Sequence, residues 1–218
     1  MKAIKNIIFD FDGTLADTSK LIVATMQKSI KDFDLPFKEE DEIKATIGVR
    51  LEEIPSILWP SFKDLGESFA EIYRVNFGEI KQNIPVTLFN GVKETLSRLK
   101  ESGYQMAIAT SRSYKSVEEL TLQLGIRDYF TYLLGGDNVS MGKPHPESID
   151  KILSEKDWKK DETMMVGDMD VDIKMGKNAG ISTCGVTYGN GKSLDLEAAG
   201  SDFIISDFSI LPQILSGK

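Results

Sequence analysis

One cysteine, one histidine and no apolar run of membrane-spanning length put several kinds of protein out of reach for this 218-residue chain. Cys184 has no second thiol to pair with, so no internal disulfide holds the fold, and a small buried side chain in a reducing compartment is expected. A bilayer span needs about 20 consecutive apolar residues, and the runs here are far shorter. The opening Met1-Lys2-Ala3-Ile4-Lys5-Asn6 leads into a short apolar stretch that meets Asp10 and Asp12 at once. That is the wrong pattern for a secretory signal, so cytoplasmic residence is expected. Positive charge is scarce as well. With 26 Lys and Arg against 34 Asp and Glu, the net charge is -8, which argues against nucleic acid and anionic membranes as partners. An anionic substrate would have to be met by local cations.

What is present is the composition of a folded globular protein, 41% hydrophobic and 28% charged. The length suits one sizeable domain or a core domain carrying an insertion. Short apolar runs alternate with segments of helical period, and this alternation predicts an α/β fold, a Rossmann-like parallel sheet with helices on both faces. Ile7-Ile8-Phe9, Met106-Ala107-Ile108-Ala109, Tyr132-Leu133-Leu134, Met164-Met165-Val166 and Phe203-Ile204-Ile205 read as buried strands. Val92, Leu96 and Leu99, then Val117, Leu120 and Leu124, then Ile210, Leu211, Ile214 and Leu215 form helical stripes. Gly103, Gly125 and Gly180 follow such helices where a left-handed residue would end them.

The stretch 16–84 breaks the alternation. It holds helical stripes but no convincing strand: Ile22, Met26, Ile30 and Phe33; Leu51, Ile54, Ile57 and Leu58; Leu65, Phe69, Ile72, Tyr73, Asn76 and Ile80. The division expected is a core of residues 1–15 and 85–218 with a helical unit, 16–84, inserted after the first strand through hinges near Asp17 and Pro85. No internal repeat or low-complexity tract is found.

Chemistry-bearing residues gather at the predicted C-terminal ends of strands, where open α/β sheets bind ligands. Asp10-Phe11-Asp12-Gly13-Thr14 follows the first strand, and residues two apart in an extended stretch share a face. Two carboxylates in one pocket need a cation or a proton, and Mg²⁺ would supply the charge. A solvated turn closed by Gly13 is the rival reading. Gly167-Asp168-Met169-Asp170-Val171-Asp172 sets more acids where another strand stops. Helix capping can account for it. A calcium loop cannot, because Ile173 stands where its glycine belongs and Ala179 where its glutamate belongs.

Thr110-Ser111-Arg112 offers hydroxyls, a guanidinium and amides near a helix start, all suited to an anionic oxygen, with capping again the alternative. Lys143 lies in Gly142-Lys143-Pro144-His145-Pro146-Glu147 between residues that restrict the backbone. His145 reads as a loop residue. Gly185-Val186-Thr187-Tyr188-Gly189-Asn190-Gly191-Lys192-Ser193 falls short of a nucleotide phosphate loop, since Val186 stands at the first required glycine, and it reads as a Gly-rich turn.

Taken in order, these segments resemble the four motifs of the haloacid dehalogenase superfamily, in the branch with phosphoglycolate phosphatases, β-phosphoglucomutases and bacterial pyrophosphatases. Asp10-Phe11-Asp12-Gly13-Thr14-Leu15 is similar to the first motif, Thr110 and Ser111 to the second, Lys143 to the third, and Gly167-Asp168 with Asp172 to the fourth. The resemblance implies an aspartyl phosphate on Asp10, with Asp12 as general acid and base. It implies Mg²⁺ held by the Asp10 side chain, the Asp12 backbone carbonyl and Asp168, with Asp172 in support. It also implies Thr110 or Ser111 and Lys143 on the transferring group, and a helical cap that opens and closes.

Arg50, between two cap helices, is the expected contact with the substrate's far end. A Mg²⁺-dependent phosphatase of a small phosphorylated metabolite such as phosphoglycolate is therefore expected, as a monomer or weak homodimer. Pyrophosphatase and β-phosphoglucomutase are the alternatives within the family. A phospho-accepting receiver domain is the alternative outside it; such a domain spans only about 120 residues and lacks a cap.

Overall fold

The structure, a computed structural model, describes residues 3–216. Each apolar run expected to be a strand forms one. β1 (Asn6–Phe9), β4 (Gln105–Ala109), β5 (Tyr132–Leu134), β6 (Thr163–Gly167), β7 (Ser182–Val186) and β8 (Phe203–Ile205) pair in parallel, in the order β5-β4-β1-β6-β7-β8. β1 thus has β4 on one side and β6 on the other, in a register that sets Phe9 against Ile108 and Val166. The sheet reverses its winding direction here, which opens a crevice beyond the strand ends of the kind in which such sheets bind ligands. β7 is an addition to the expected set, and its sequence Ser-Thr-Cys-Gly-Val hides it.

Alternate residues of the sheet enter two cores. Ile7, Phe9, Met106, Ile108, Met164 and Val166 point into the larger one, with α5 (Val92–Glu101), α6 (Tyr114–Gln123) and α10 (Leu211–Ser216). Ile8, Ala107, Ala109 and Met165 face the other, closed by α7 (Glu147–Lys156) and α8 (Asp170–Ala179). Burying a side chain of the size of Phe9 contributes roughly 1.5–3 kcal/mol, so the strand holding Asp10 is firmly seated. Gly103, Gly125 and Gly180 all take positive φ, as the helix ends predicted. A short helix, α9 (Ser193–Ala198), covers β7 and β8.

Four α-helices lie between Asp17 and Thr87: α1 (Ser19–Asp32), α2 (Glu40–Lys44), α3 (Ile54–Leu58) and α4 (Gly66–Ile80). They bury a core of their own around Met26, Ile30, Ile43, Ile54, Phe69 and Tyr73, which makes them the inserted helical unit expected. The chain enters and leaves this unit through two strands absent from the sequence reading, β2 (Ala16–Asp17) and β3 (Thr87–Leu88), paired antiparallel.

Two stripe residues are corrected. Ile57 is 52% exposed and Ile72 37%, because a unit this thin presents only one face of each helix to the interior. Asn76, placed on the apolar stripe, is buried for a polar reason. Its Nδ2 donates to Ser29 Oγ (3.0 Å) and Asp32 Oδ2 (2.9 Å), and its Oδ1 accepts from Lys28 Nζ (2.6 Å), which ties α4 to α1. Among the described residues no helix is long and apolar enough to cross a membrane.

Candidate active site

Asp10 is the first residue past β1, and its amide donates to Val166 O (2.9 Å), which extends the strand by one step. A tight turn follows, in which Leu15 N and Ala16 N both donate to Phe11 O (3.0 Å each) and Gly13 N donates to Ala16 O (2.9 Å). Gly13 takes φ +84, and a Cβ there would overlap Asp168 Oδ2, so only glycine lets the turn close on β6. Asp168 is the first residue past β6, and Asp172 lies in the first turn of α8. Gly167 leaves the room into which Asp172 swings back, accepting from Met169 N (3.0 Å). The capping reading is therefore right for Asp172, and it leaves the second oxygen free for Lys143.

Lys143, from the loop before α7, bonds Asp10 Oδ1 and lies 2.7 Å from Asp172 Oδ1. All four ionisable groups are inside the protein. Asp10 is 2% exposed, Asp168 0%, Asp172 1% and Lys143 8%. Lys143 is buried rather than solvated because two carboxylates surround its ammonium. Burial alone would weaken the ammonium's hold on its proton, yet the charges of Asp10 and Asp172 outweigh burial and raise the pKa above its ordinary value.

The acids carry the opposite strain. Burial drives the Asp10 pKa well above its usual value, with the charges of Asp172, Asp168 and Asp12 adding to the rise and Lys143 opposing it. Burial and then Asp172 push Asp168 up to about 7, against the pull of the Asn190 amide, the Thr14 hydroxyl and Lys143. One ammonium does not neutralise three buried carboxylates. Asp10, Asp168 and Asp172 each offer an oxygen within 4.8 Å of the others, an all-oxygen donor set of the kind hard divalent cations prefer. The residues present fit a metal ion.

Asp168 is oriented by groups the sequence reading did not select. Asn190 donates to its Oδ2 through the backbone amide (2.7 Å) and Nδ2 (3.2 Å), and Thr14 Oγ1 donates to Oδ1 (3.1 Å). The Gly-rich turn exists for this contact, since a Cβ at Gly189 or Gly191 would collide with Asp168. Glycine spacing around Asn190 was the available signal.

The remaining residues fall into two places. Thr110, just past β4 and so beside Asp10 across the sheet, is buried, and its Oγ1 accepts from Arg112 N (3.2 Å). Ser111 turns the other way and donates to Gly48 O (2.6 Å) in the helical unit. Asp12 is buried and is held by Thr18 Oγ1 and by the Arg112 guanidinium. Arg50 does not point into free space. It donates to Gly136 O (2.7 Å), Val139 O and Ser140 O (2.8 Å), bridging the helical unit to the loop before α7. His145 accepts from Glu147 N (3.3 Å) in the loop, and Cys184 is fully buried, with burial raising its thiol to about 12.

A parallel sheet with a helical insertion after its first strand, acids beyond two of its strands and a lysine between them defines a class, and comparison with known proteins agrees. The chain belongs to the haloacid dehalogenase-like hydrolases, whose family model matches residues 7–186. Over 93% of this chain and 90% of the relative it is 36% identical to "Probable phosphatase IndB" of Dickeya dadantii. It is 33% identical to "Pyrophosphatase PpaX" of Listeria innocua over 97% of this chain and 96% of the relative. It is 30% identical to "Phosphoglycolate phosphatase" of Vibrio parahaemolyticus over 98% and 96%. Among solved structures, a haloacid dehalogenase-like hydrolase from Bacteroides fragilis superposes with a TM-score of 0.87 at 30% identity, covering 95% of this chain and 99% of that one. Family membership removes the receiver-domain reading.

Proposed function

We propose that this protein is a Mg²⁺-dependent phosphatase of a small phosphorylated metabolite, working through an aspartyl phosphate on Asp10. The observation that carries the reading is the buried meeting of Asp10, Lys143, Asp168 and Asp172, four residues brought together from three separate segments of the chain. Asp10 and Asp168, with Asp172 in support and the Asp12 carbonyl, would hold Mg²⁺, and when bound the ion supplies positive charge against the acids and the phosphate oxygens.

An Asp10 carboxylate oxygen attacks phosphorus, and the bond to the leaving oxygen breaks with its electron pair staying on that oxygen, which takes a proton from Asp12. Water then attacks the phosphoryl group while Asp12 takes its proton. Inorganic phosphate leaves and the Asp10 carboxylate is regenerated. Lys143 and Thr110 bind the transferring oxygens, and Lys143 holds Asp10 in place. Ser111, bonded to Gly48, belongs with the contact between the two units. Residues 16–84 act as a cap over 1–15 and 85–218, pivoting at β2 and β3.

A substrate like phosphoglycolate is favoured by the relative of that name, and inorganic pyrophosphate is the second reading, supported by the Listeria innocua relative. Both carry a second anionic group close to the transferring phosphate. The test is phosphate release from a panel of phosphorylated metabolites and pyrophosphate, with Mg²⁺ or EDTA, for wild type and Asp10→Asn. Asp10→Asn should remain folded and lose at least about a thousandfold in kcat. A variant that still turns over rejects the nucleophile assignment. Phosphate release rather than transfer to a second hydroxyl separates a phosphatase from a mutase.

A further inference from the structure

Asp12, given the proton-donating role above, is an acceptor on both oxygens. Its Oδ1 accepts from Thr18 Oγ1 (2.6 Å), Arg112 Nη2 (2.7 Å) and Arg112 Nε (3.0 Å), and its Oδ2 accepts from Arg112 Nε (2.9 Å). Three donor atoms from two residues fix the side chain in this position, so it cannot turn toward a leaving oxygen while they hold it.

The surroundings of Arg112 define what can replace Asp12. The guanidinium lines a cavity of about 680 Å³ between the helical unit and the sheet, and Asp12 lines it too. It is largely buried, lies 4.9 Å from the ring centre of Phe77 on α4 and 6.0 Å from that of Phe11, and donates to Ser116 Oγ (3.1 Å). Of its five N–H donors, one on each terminal nitrogen has no partner among the described residues.

Other cations of the cavity are engaged or remote. Arg50 holds carbonyls, Arg74 pairs with Glu52, Lys81 pairs with Glu119 at 3.2 Å, and Lys115 is exposed. Withdrawing Asp12 with nothing in exchange would leave a guanidinium buried against two aromatic rings with no counter-charge, which holds the pair shut until another anion arrives.

We infer that Arg112 receives a second anionic group of the substrate, a carboxylate or phosphate near the transferring phosphate, and that this anion displaces Asp12, whose side chain is then free to turn toward the leaving oxygen. The inference rests on the phosphatase reading and deepens it. The planar fork that grips a carboxylate now grips either anion equally well, and the exchange conserves charge at the guanidinium. Because Asp12 is released only in the complex, discrimination enters kcat as well as KM.

The test uses the full chain with Mg²⁺ and two esters of similar size, phosphoglycolate and 2-hydroxyethyl phosphate, for wild type, Arg112→Lys and Arg112→Met. Wild type should prefer the carboxylate ester by on the order of a hundredfold in kcat/KM, with part of the preference in kcat. Arg112→Met should bring the two esters toward parity, losing rate on the first and gaining on the second. Arg112→Lys, a point charge without the fork, should fall between them. Equal losses on both esters, with the ratio unchanged, would mean a merely structural role and overturn the inference.

Wild type alone gives an arm that does not depend on the variants folding. Added acetate should accelerate 2-hydroxyethyl phosphate hydrolysis saturably and leave phosphoglycolate hydrolysis without acceleration, and no acceleration of the neutral ester overturns the inference. If wild type hydrolyses neither ester nor any other phosphate compound, the phosphatase reading fails and takes this inference with it. If both esters are hydrolysed with a ratio indifferent to Arg112, the inference fails alone.

Discussion

Replacing Asp168 by asparagine should stabilise the metal-free protein at pH 8 and remove most of its response to Mg²⁺. Asp168 is fully buried, and its pKa is pushed from 3.8 to about 7, by burial first and the charge of Asp172 second. A raised folded-state pKa means that the folded protein keeps a proton that the unfolded chain gives up between pH 3.8 and about 7. Stability therefore falls as pH rises across that window, and the loss is complete above it. At about 1.4 kcal/mol per pH unit the loss is roughly 4 kcal/mol.

Asparagine escapes that cost but turns an NH₂ toward one of the donors now held by the carboxylate, Thr14 or Asn190, at about 1–2 kcal/mol. The net gain is about 2 kcal/mol, or roughly 4–8 °C in Tm for a chain of this size. It should vanish near pH 5, where most of the ionisation cost is absent. Mg²⁺ at about a hundred times its Kd should add about 2.7 kcal/mol to wild type and little to the variant. Thermal melts by circular dichroism, in EDTA and in saturating Mg²⁺ from pH 5 to 8, decide the matter. A difference between the proteins that is independent of pH, or an equal Mg²⁺ shift in both, would refute the reasoning.

Two further perturbations probe how Asp168 is held. Gly13→Ala puts an L side chain at φ +84, costing roughly 1–2 kcal/mol, and drives a methyl into Asp168. Tm and Mg²⁺ affinity, read from melts and from the Mg²⁺ dependence of phosphate release, should both fall, and an unchanged Mg²⁺ affinity would contradict the packing. Asn190→Ala removes the side-chain donor to Asp168 but keeps the amide, so Mg²⁺ affinity should drop about tenfold while Tm changes little. Wild-type affinity in this variant would assign the orientation of Asp168 to the backbone alone.

What could be read in advance follows from how far each determinant reaches along the chain. Buried parallel strands are apolar on both faces, so β1, β4, β5, β6 and β8 stood out as runs of Ile, Leu, Met, Val and Phe. β7 did not. Thr183 is tolerated inside because its N and Oγ1 both donate to Asp202 Oδ2, at 2.8 and 3.0 Å, and Gly185 is there because Leu196 occupies the space of a side chain.

Asp10, Asp12, Asp168 and Asp172 were visible because they lie at or shortly beyond predicted strand ends, and Lys143 because residues that restrict the backbone flank it. Asn190 reaches Asp168 from 22 residues away, and Arg112 reaches Asp12 from 100, through folding that no local pattern encodes. Arg112 was noticed as an anion ligand, but the anion it meets belongs to the protein. Arg50 shows the same limit, since its partners lie 86 to 90 residues on and are backbone oxygens.

Those oxygens have an evolutionary corollary. A clasp that grips peptide carbonyls is indifferent to the side chains attached to them, so Val139 and Ser140 can drift without letting go of Arg50. The constraint moves to the empty places instead. A methyl on Gly142 would come within 2.9 Å of the Arg50 side chain, and one on Gly136 within 2.6 Å of Ser111 O. At this contact between the two halves of the molecule, what matters is an arginine and the vacant volume around it rather than the side chains of the loop it grips.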